Sequence, residues 1–172
     1  SVTDGDTRRL TKPDRAPGFA LSFNSCRPYS AGSVYIKSAD AATPPAIHGN
    51  YLDDQRDIDD VLRMARFIGR MQNSPSVQKL LAAPPETNLL ALSDNEIIDD
   101  FRARSGTVFH PCGTCRMGPD RRHSVVDPQL RVHGVGKLRV ADAAIFPNIT
   151  SANTNAPTIA VAHKAADLIL QS

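Results

Sequence analysis

The chain has 172 residues, of which 41% are hydrophobic and 22% charged, a composition typical of globular proteins and unlike that of disordered or fibrous ones. Its formal net charge of +2 gives no electrostatic support to a nucleic acid or an anionic membrane surface as a partner. The sequence contains neither a run of about eighteen apolar residues nor a charged-then-apolar N-terminus. We therefore expect no membrane span and no signal peptide, and a cytoplasmic protein.

The first quarter of the sequence predicts a linker followed by short strands. Residues 1–17 carry charges and prolines without a period, which indicates a linker or irregular segment. Residues 19–26 and 33–37 are strand-like and are separated by turn-forming residues, so they predict a β-hairpin. Residues 46–48 follow a pair of prolines and predict a short edge strand.

Three helices are predicted next. After Asp54, apolar side chains recur every three or four positions for about five turns, with charged residues between them, and this pattern predicts an amphipathic helix. Its arginines are expected to form plain solvated surface. A short helix is predicted at residues 76–82. Ser93 followed three positions later by Glu96 is a capping-box pattern, and it predicts a third helix that ends near Arg104.

The last third of the sequence alternates predicted strands with tight loops. The strands are expected at residues 107–109, 130–132 and 138–140. The chain then ends in a predicted helix at residues 156–170, which is rich in small side chains. The order of strands, then helices, then strands again predicts an α+β fold.

Nine residues that begin at His110 hold one imidazole, two thiols and two glycines. Cys112 and Cys115 form a C-x-x-C pair which, with His110 and either His123 or His133, could bind a structural zinc ion, as in a non-catalytic binding module. The sequence has no second C-x-x-C pair, and this weakens the zinc interpretation. A thioredoxin-like redox pair would need a helix directly after the motif, and the sequence predicts no helix there. In the third interpretation both thiols are small buried fillers beside a glycine turn.

A different chemistry is indicated by His110 together with the start of the last helix. Because His110 precedes a proline, its backbone is expected to be extended and its ring well fixed, which suits a general base. Asn153, Thr154 and Asn155 precede Pro157, a residue favoured at the first helical position. The N–H groups of that helix end would stabilise an anion. We expect the two stretches to meet at one active site.

Asp142 follows the predicted strand at residues 138–140 and lies between Ala141 and Ala143. A carboxylate flanked by small residues at the end of a strand is typical of the edge where an α/β sheet meets a cofactor. This position is therefore a second candidate for binding.

Four consecutive blocks resemble the C-terminal portion of the glucose-methanol-choline (GMC) oxidoreductases, with the choline dehydrogenase and aryl-alcohol branches most similar. The resemblance covers residues 18–170. The blocks are HPCGTCRMG at residues 110–118, VDPQLRVHGV at 126–135, LRVADAAIFP at 138–147 and TSANTNAP at 150–157.

The resemblance implies an FAD-dependent enzyme that oxidises an alcohol, with hydride transfer from the alcohol carbon to the flavin N5 atom. It implies that His110 is the catalytic base and that Asn153 holds the alcohol oxygen. We expect no metal site. The positions implied to contact FAD are Asp142, Ala143, Asn153, Thr154 and Pro157.

The resemblance also implies a domain organisation. Residues 18–110 would form part of an antiparallel-sheet substrate-binding domain with helices, and residues 111–172 the returning C-terminal strand and helix of an FAD-binding domain. The implied partners are a small alcohol, an electron acceptor such as oxygen or a quinone, and an N-terminal FAD-binding part. The stretch from Gly134 to Arg139 is not the family's phosphate-binding G-x-G-x-x-G. We therefore expect the C-terminal part of a longer enzyme, which binds FAD weakly or not at all alone and is inactive alone.

Overall fold

The computed structural model describes residues 18–171, which divide into two compact units. The predicted linker at residues 1–17 lies outside the described residues. The predicted division into two domains at residue 110 stays a prediction, because compact units need not coincide with the domains of a longer enzyme. The first unit comprises residues 18–25 and 52–107, and the second comprises residues 26–51 and 108–171.

The first unit is helical. Its helices are α1 (Gln55–Gln72), α2 (Pro75–Gln78) and α3 (Asp94–Arg104). The Asp54 carboxylate begins α1 by accepting a hydrogen bond from the Arg56 amide at 2.9 Å. At α3 the predicted capping box is present, since Ser93 accepts from the Glu96 amide and Glu96 accepts from the Ser93 amide. The predictions of α1 and α3 are confirmed, and α2 is shorter than predicted.

The core of the first unit lies between α1 and α3. Val61 on α1 and Ile97 on α3 are each only 1% exposed. Burying a side chain of this size stabilises the fold by about 1.5 to 3 kcal/mol. The remaining buried apolar residues of this unit are Ala65, Ile68, Leu89 and Ile98.

One arginine of α1 has a structural role. The Arg66 guanidinium donates to the Leu89 carbonyl at 2.9 Å and to the Asp94 carboxylate at 2.8 Å. It thereby joins α1 to the loop before α3 and to the first residue of α3. The expectation that the arginines of this helix are plain surface is wrong for Arg66, although Arg63 and Arg70 are exposed.

The second unit begins with a two-stranded antiparallel sheet. Strand β1 (Ser33–Tyr35) pairs with β2 (Ala46–His48), and Val34 lies opposite Ile47. Both strands were predicted, but the predicted hairpin between residues 19–26 and 33–37 is wrong. Residues 19–26 form no strand. An apolar alternation indicates an extended segment, but it does not specify which segment will pair with it.

The rest of the second unit is a set of tight turns packed on one long helix, α4 (Asn155–Leu170), as predicted. The predicted strands at 130–132 and 138–140 are reduced to isolated bridges, and the one at 107–109 is not formed. The α+β class is confirmed. The buried core comprises Val126, Leu130, Ile145, Phe146 and Ala165. Among the helices of residues 18–171, none has both the length and the apolar character that a membrane-spanning helix requires.

Candidate active site

Backbone hydrogen bonds hold the segment after His110 against a short 3-10 turn at Ala143–Ile145. The Cys115 amide donates to the Ala144 carbonyl at 2.9 Å, and the Met117 amide donates to the Ile145 carbonyl at 2.8 Å. Gly113 has φ +86°, and a Cβ atom there would lie 3.2 Å from the Phe146 carbonyl oxygen. The glycine therefore permits both the turn and the close approach.

One of the two thiols of this segment, that of Cys112, packs against the core. Cys112 is half-buried against the core of the second unit, and burial raises the pKa of its thiol despite the opposing charge of Arg116. Both Cys112 and Cys115 are free cysteines. Among residues 18–171, no group of three or more His, Cys, Asp and Glu side chains is arranged to hold a metal ion. The zinc hypothesis therefore has no support from the geometry.

A further candidate zinc ligand is engaged elsewhere. The Nε2 atom of His133 lies 3.1 Å from both the Gly118 carbonyl oxygen and the Ser124 hydroxyl. A carbonyl oxygen only accepts, so this contact favours a proton on Nε2. His133 thus fixes the turn at Gly118, and Ser124 supports it by donating to the same carbonyl at 2.9 Å.

His110 and the start of α4 meet through one side-chain hydrogen bond. The Nδ1 atom of His110 lies 3.0 Å from the Oγ1 atom of Thr154, which is only 7% exposed. The backbone around His110 is also restricted: Phe109 has φ +60°, an uncommon conformation for an aromatic residue, and Pro111 disfavours a helical conformation of His110. Within the described residues, the contact that holds the imidazole is the one through Nδ1.

Asn153 directly precedes this contact and is exposed. The hydrogen bond that joins the two polar stretches reaches Thr154 and not Asn153, a partner that the sequence did not identify. The carboxamide of Asn153 is accordingly open to a small molecule. The roles predicted for His110 and Asn153 in catalysis stay predictions.

The start of α4 differs slightly from the prediction. Thr154 occupies the N-cap position, and Pro157 is the third helical residue instead of the first. Thr154 makes no side-chain capping hydrogen bond within the described part of the chain. The first two helical amides, those of Asn155 and Ala156, therefore do not donate to the Thr154 side chain. Such amides can donate to an oxygen atom of a ligand.

Two contacts that sequence reasoning missed hold the loop before α4. The Asn148 carboxamide donates to the Pro28 carbonyl at 2.9 Å, and the Arg27 guanidinium bonds the Ser151 hydroxyl. Both contacts join positions more than a hundred residues apart, so no local pattern indicates them. They fix the loop that carries Asn153 to the segment before β1.

Asp142 has a structural role at its position. Its Oδ1 atom accepts a hydrogen bond from the Ala144 amide at 2.7 Å and so caps the 3-10 turn. Ala143 is half-buried against the core. The strand predicted before Asp142 is wrong, because Arg139 makes only a single bridge with Arg131. The predicted contact of Asp142 and Ala143 with FAD stays a prediction.

Comparison with known proteins identifies the family. Residues 28–162, more than three quarters of the chain, match the family model described as GMC oxidoreductase. The chain belongs to the GMC oxidoreductases, and it corresponds to their C-terminal portion.

The similar proteins are much longer than this chain. It is 40% identical over 154 residues to the alcohol dehydrogenase [acceptor] of Pseudomonas putida, covering 90% of this chain and 28% of that protein. It is 39% identical over 152 residues to the oxygen-dependent choline dehydrogenase of Klebsiella pneumoniae subsp. pneumoniae, covering 88% of this chain and 27% of that protein. An FAD-dependent oxidoreductase from Chaetomium thermophilum superposes with a TM-score of 0.77 at 31% identity, over 85% of this chain and 25% of that one.

The residues of this GMC oxidoreductase chain suit part of a flavin site. The uncapped amides of Asn155 and Ala156 supply two donors at the positive end of a helix dipole. The carbonyl oxygens of a flavin ring are acceptors, and their negative charge grows when the ring is reduced. The donor set therefore fits one edge of FAD. The glycine-rich stretch from Gly134 to Arg139 opens no helix, so it does not have the form of a dinucleotide phosphate cradle.

Proposed function

We propose that this chain forms the alcohol-oxidising part of an FAD-dependent GMC oxidoreductase, in which His110 is the catalytic base and Asn153 holds the alcohol oxygen. The observation that carries the proposal is the bond between His110 Nδ1 and Thr154 Oγ1, which fixes the imidazole beside the start of α4. A general base acts only when its ring nitrogen is aimed at the proton that it removes.

The proposed role of His110 is to take the hydroxyl proton of the alcohol. With Nδ1 bonded to Thr154, the second ring nitrogen, Nε2, is the atom available to the substrate. FAD, when bound, supplies the acceptor for the hydride that leaves the alcohol carbon. Removal of the proton by His110 raises electron density on the alcohol oxygen and so favours departure of that hydride.

The proposed role of Asn153 is to stabilise the alcohol oxygen while its proton is removed. A carboxamide carries two N–H donors, and an oxygen that gains negative charge accepts such bonds more strongly. The side chain is exposed and precedes Thr154 by one residue, which supports access from the same polar stretch. Arg27 and Asn148 would limit movement of the loop through their contacts with Ser151 and Pro28.

We further propose that the start of α4 contacts the flavin ring. Asn155 and Ala156 would donate their amides, and Asn153, Thr154 and Pro157 would form the adjoining surface. Asp142 and Ala143 would line the FAD chain from the 3-10 turn, with the second carboxylate oxygen of Asp142 directed to the cofactor. Positive helix ends favour ligands that carry negative charge.

The remaining partners are an electron acceptor, either oxygen or a quinone-type compound, and an N-terminal FAD-binding part. Support for the latter comes from the sheet and the residue that follows β1, since Val34 and Ile47 in the sheet and Ile36 after it are 47%, 72% and 91% exposed. Clustered apolar side chains of this kind usually contact another protein surface. Without the phosphate cradle, the 172-residue chain alone is expected to lose FAD during gel filtration and to have no activity.

The test is a steady-state assay of the FAD-loaded enzyme that contains this sequence. Primary aliphatic alcohols, aryl alcohols and choline are each supplied with oxygen or an artificial acceptor. We expect turnover of at least one alcohol, lowered by about a hundredfold or more in His110→Gln. His123→Gln, at an exposed histidine of the same unit, is the matched control and should keep its rate. Absence of turnover by enzyme that holds FAD, with every alcohol, would contradict the proposal.

A further inference from the structure

Thr154 directly precedes α4, but its backbone is helical (φ −75°, ψ −8°) and its side chain does not cap the helix. Threonine at an N-cap usually accepts a hydrogen bond from an amide two or three residues later. Here the side chain makes no such bond within the described residues, and its hydroxyl lies 3.0 Å from His110 Nδ1 instead. The side chain is also almost completely buried. Local helix stability is therefore not what the hydroxyl of Thr154 provides.

The contact can run in two directions with opposite chemical consequences. A neutral imidazole carries one N–H and one lone pair. If the Thr154 hydroxyl donates to Nδ1, the proton of His110 is on Nε2, and that nitrogen cannot accept another. If Nδ1–H donates to Thr154 Oγ1, the lone pair is on Nε2. A base that acts through Nε2 requires the second arrangement.

We propose that Thr154 is a positioning residue that holds His110 in the tautomer protonated on Nδ1. This inference rests on the proposed function, in which His110 is the base. The same bond serves a second purpose once Nε2 has taken the proton of the alcohol. The imidazolium still donates Nδ1–H to Oγ1, and a hydrogen bond from a charged donor is stronger than one from a neutral donor. Thr154 thus favours both the reactive tautomer and its protonated product.

The chain offers a conservative variant and a matched control. Thr154→Val has nearly the same shape and removes only the hydroxyl, whereas Thr154→Ser keeps it. Thr158 lies one turn further along α4, and its hydroxyl donates to the Thr154 backbone carbonyl at 2.6 Å. Thr158→Val therefore removes a neighbouring threonine hydroxyl without altering the partner of His110.

The experiment measures the tautomer of His110 and the kinetics on the same FAD-loaded enzyme. Histidine is labelled with ¹⁵N, and the signals of His110 are assigned by their loss in His110→Gln. We expect Nδ1–H in the wild type, in Thr154→Ser and in Thr158→Val, and a shift towards Nε2–H in Thr154→Val. The value of kcat/KM in Thr154→Val should fall by about two- to tenfold, the effect of one hydrogen bond, with recovery in Thr154→Ser.

Two results would overturn the inference. One is a wild-type His110 protonated on Nε2, a measurement that needs no variant to fold. The other is a Thr154→Val enzyme that retains both the Nδ1–H signal and the kcat/KM of the wild type. Failure of the proposed function gives a different pattern, because His110→Gln itself would then keep the wild-type rate, whatever the tautomer of His110 is.

Discussion

The Nδ1 atom of His110 lies 3.0 Å from the Oγ1 atom of Thr154, 44 positions later in the chain. This bond joins the segment that packs on the 3-10 turn to the first turn of α4, so that the imidazole and the helix start share one location. It leaves Nε2 of the ring and the exposed carboxamide of Asn153 for a small molecule.

Replacement of Asn153 by alanine should weaken catalysis without weakening the fold. We expect kcat/KM for the alcohol to fall by about tenfold, because one donor to the reacting oxygen is lost. The melting temperature should stay the same, since the side chain is exposed. Asn95→Ala, at an exposed position in α3, is the control. Equal kcat/KM values in Asn153→Ala and Asn95→Ala would exclude the proposed role of Asn153.

Replacement of Gly113 by alanine should destabilise the chain. The left-handed φ of +86° and the contact at 3.2 Å with the Phe146 carbonyl oxygen both oppose a Cβ atom. The expected loss in the free energy of unfolding is about 1 to 2 kcal/mol. Urea denaturation of Gly113→Ala and of the control variant Gly136→Ala measures this loss. Gly136→Ala, where a Cβ would meet no atom within 4 Å, should show a much smaller loss, and equal losses would contradict the described turn.

Acid should remove a stabilising contribution of Asp127. Burial alone would raise the pKa of this carboxyl, but hydrogen bonds from the Arg131 backbone and side chain and from the Gln129 amide outweigh it and lower the pKa below 3.8. A carboxyl whose pKa is lowered in the folded state contributes its full stability above the unfolded pKa, and loses it as the pH falls through the folded value.

The variant Asp127→Asn should therefore have a smaller loss of stability between pH 5 and pH 2 than the wild type, in urea titrations at each pH. Asp99, on the exposed surface of α3 and 78% exposed in its side chain, supplies the control variant Asp99→Asn. If Asp127→Asn and the wild type lose stability in parallel over this range, the carboxyl is not held as described.

The sequence predicted the parts of the fold that depend on neighbouring residues. The capping box at Ser93 and the apolar period after Asp54 are local signals, and the helices α1 and α3 are present where they were expected. Strand pairing is not determined by neighbouring residues alone, so the sequence did not identify the partner of β1. That partner is β2 and not residues 19–26. Extended strands at 130–132 and 138–140 are prevented by turns, since Leu130 and Lys137 have φ of +66° and +61°.

In the candidate site, too, the sequence predicted what local patterns indicate and not the contacts between distant positions. His110 and the stretch around Asn153 are identifiable because several reactive or capping residue types occur close together in the sequence. The partner of His110 is not identifiable, because Thr154 has the appearance of an ordinary N-cap and lies 44 positions away. Arg27 and Asn148 carry no local signal, and only the structure relates them to the loop before α4.

The most direct measurement is the rate at which an alcohol reduces the bound flavin in the absence of oxygen. The FAD-loaded enzyme containing this sequence is mixed rapidly with an alcohol that it turns over, and the loss of flavin absorbance is followed in wild type, His110→Gln and His123→Gln. We predict reduction at least about a hundredfold slower in His110→Gln, with the flavin still bound, and an unchanged rate in His123→Gln. Flavin reduction by His110→Gln at the wild-type rate would contradict the assignment of His110 as the base.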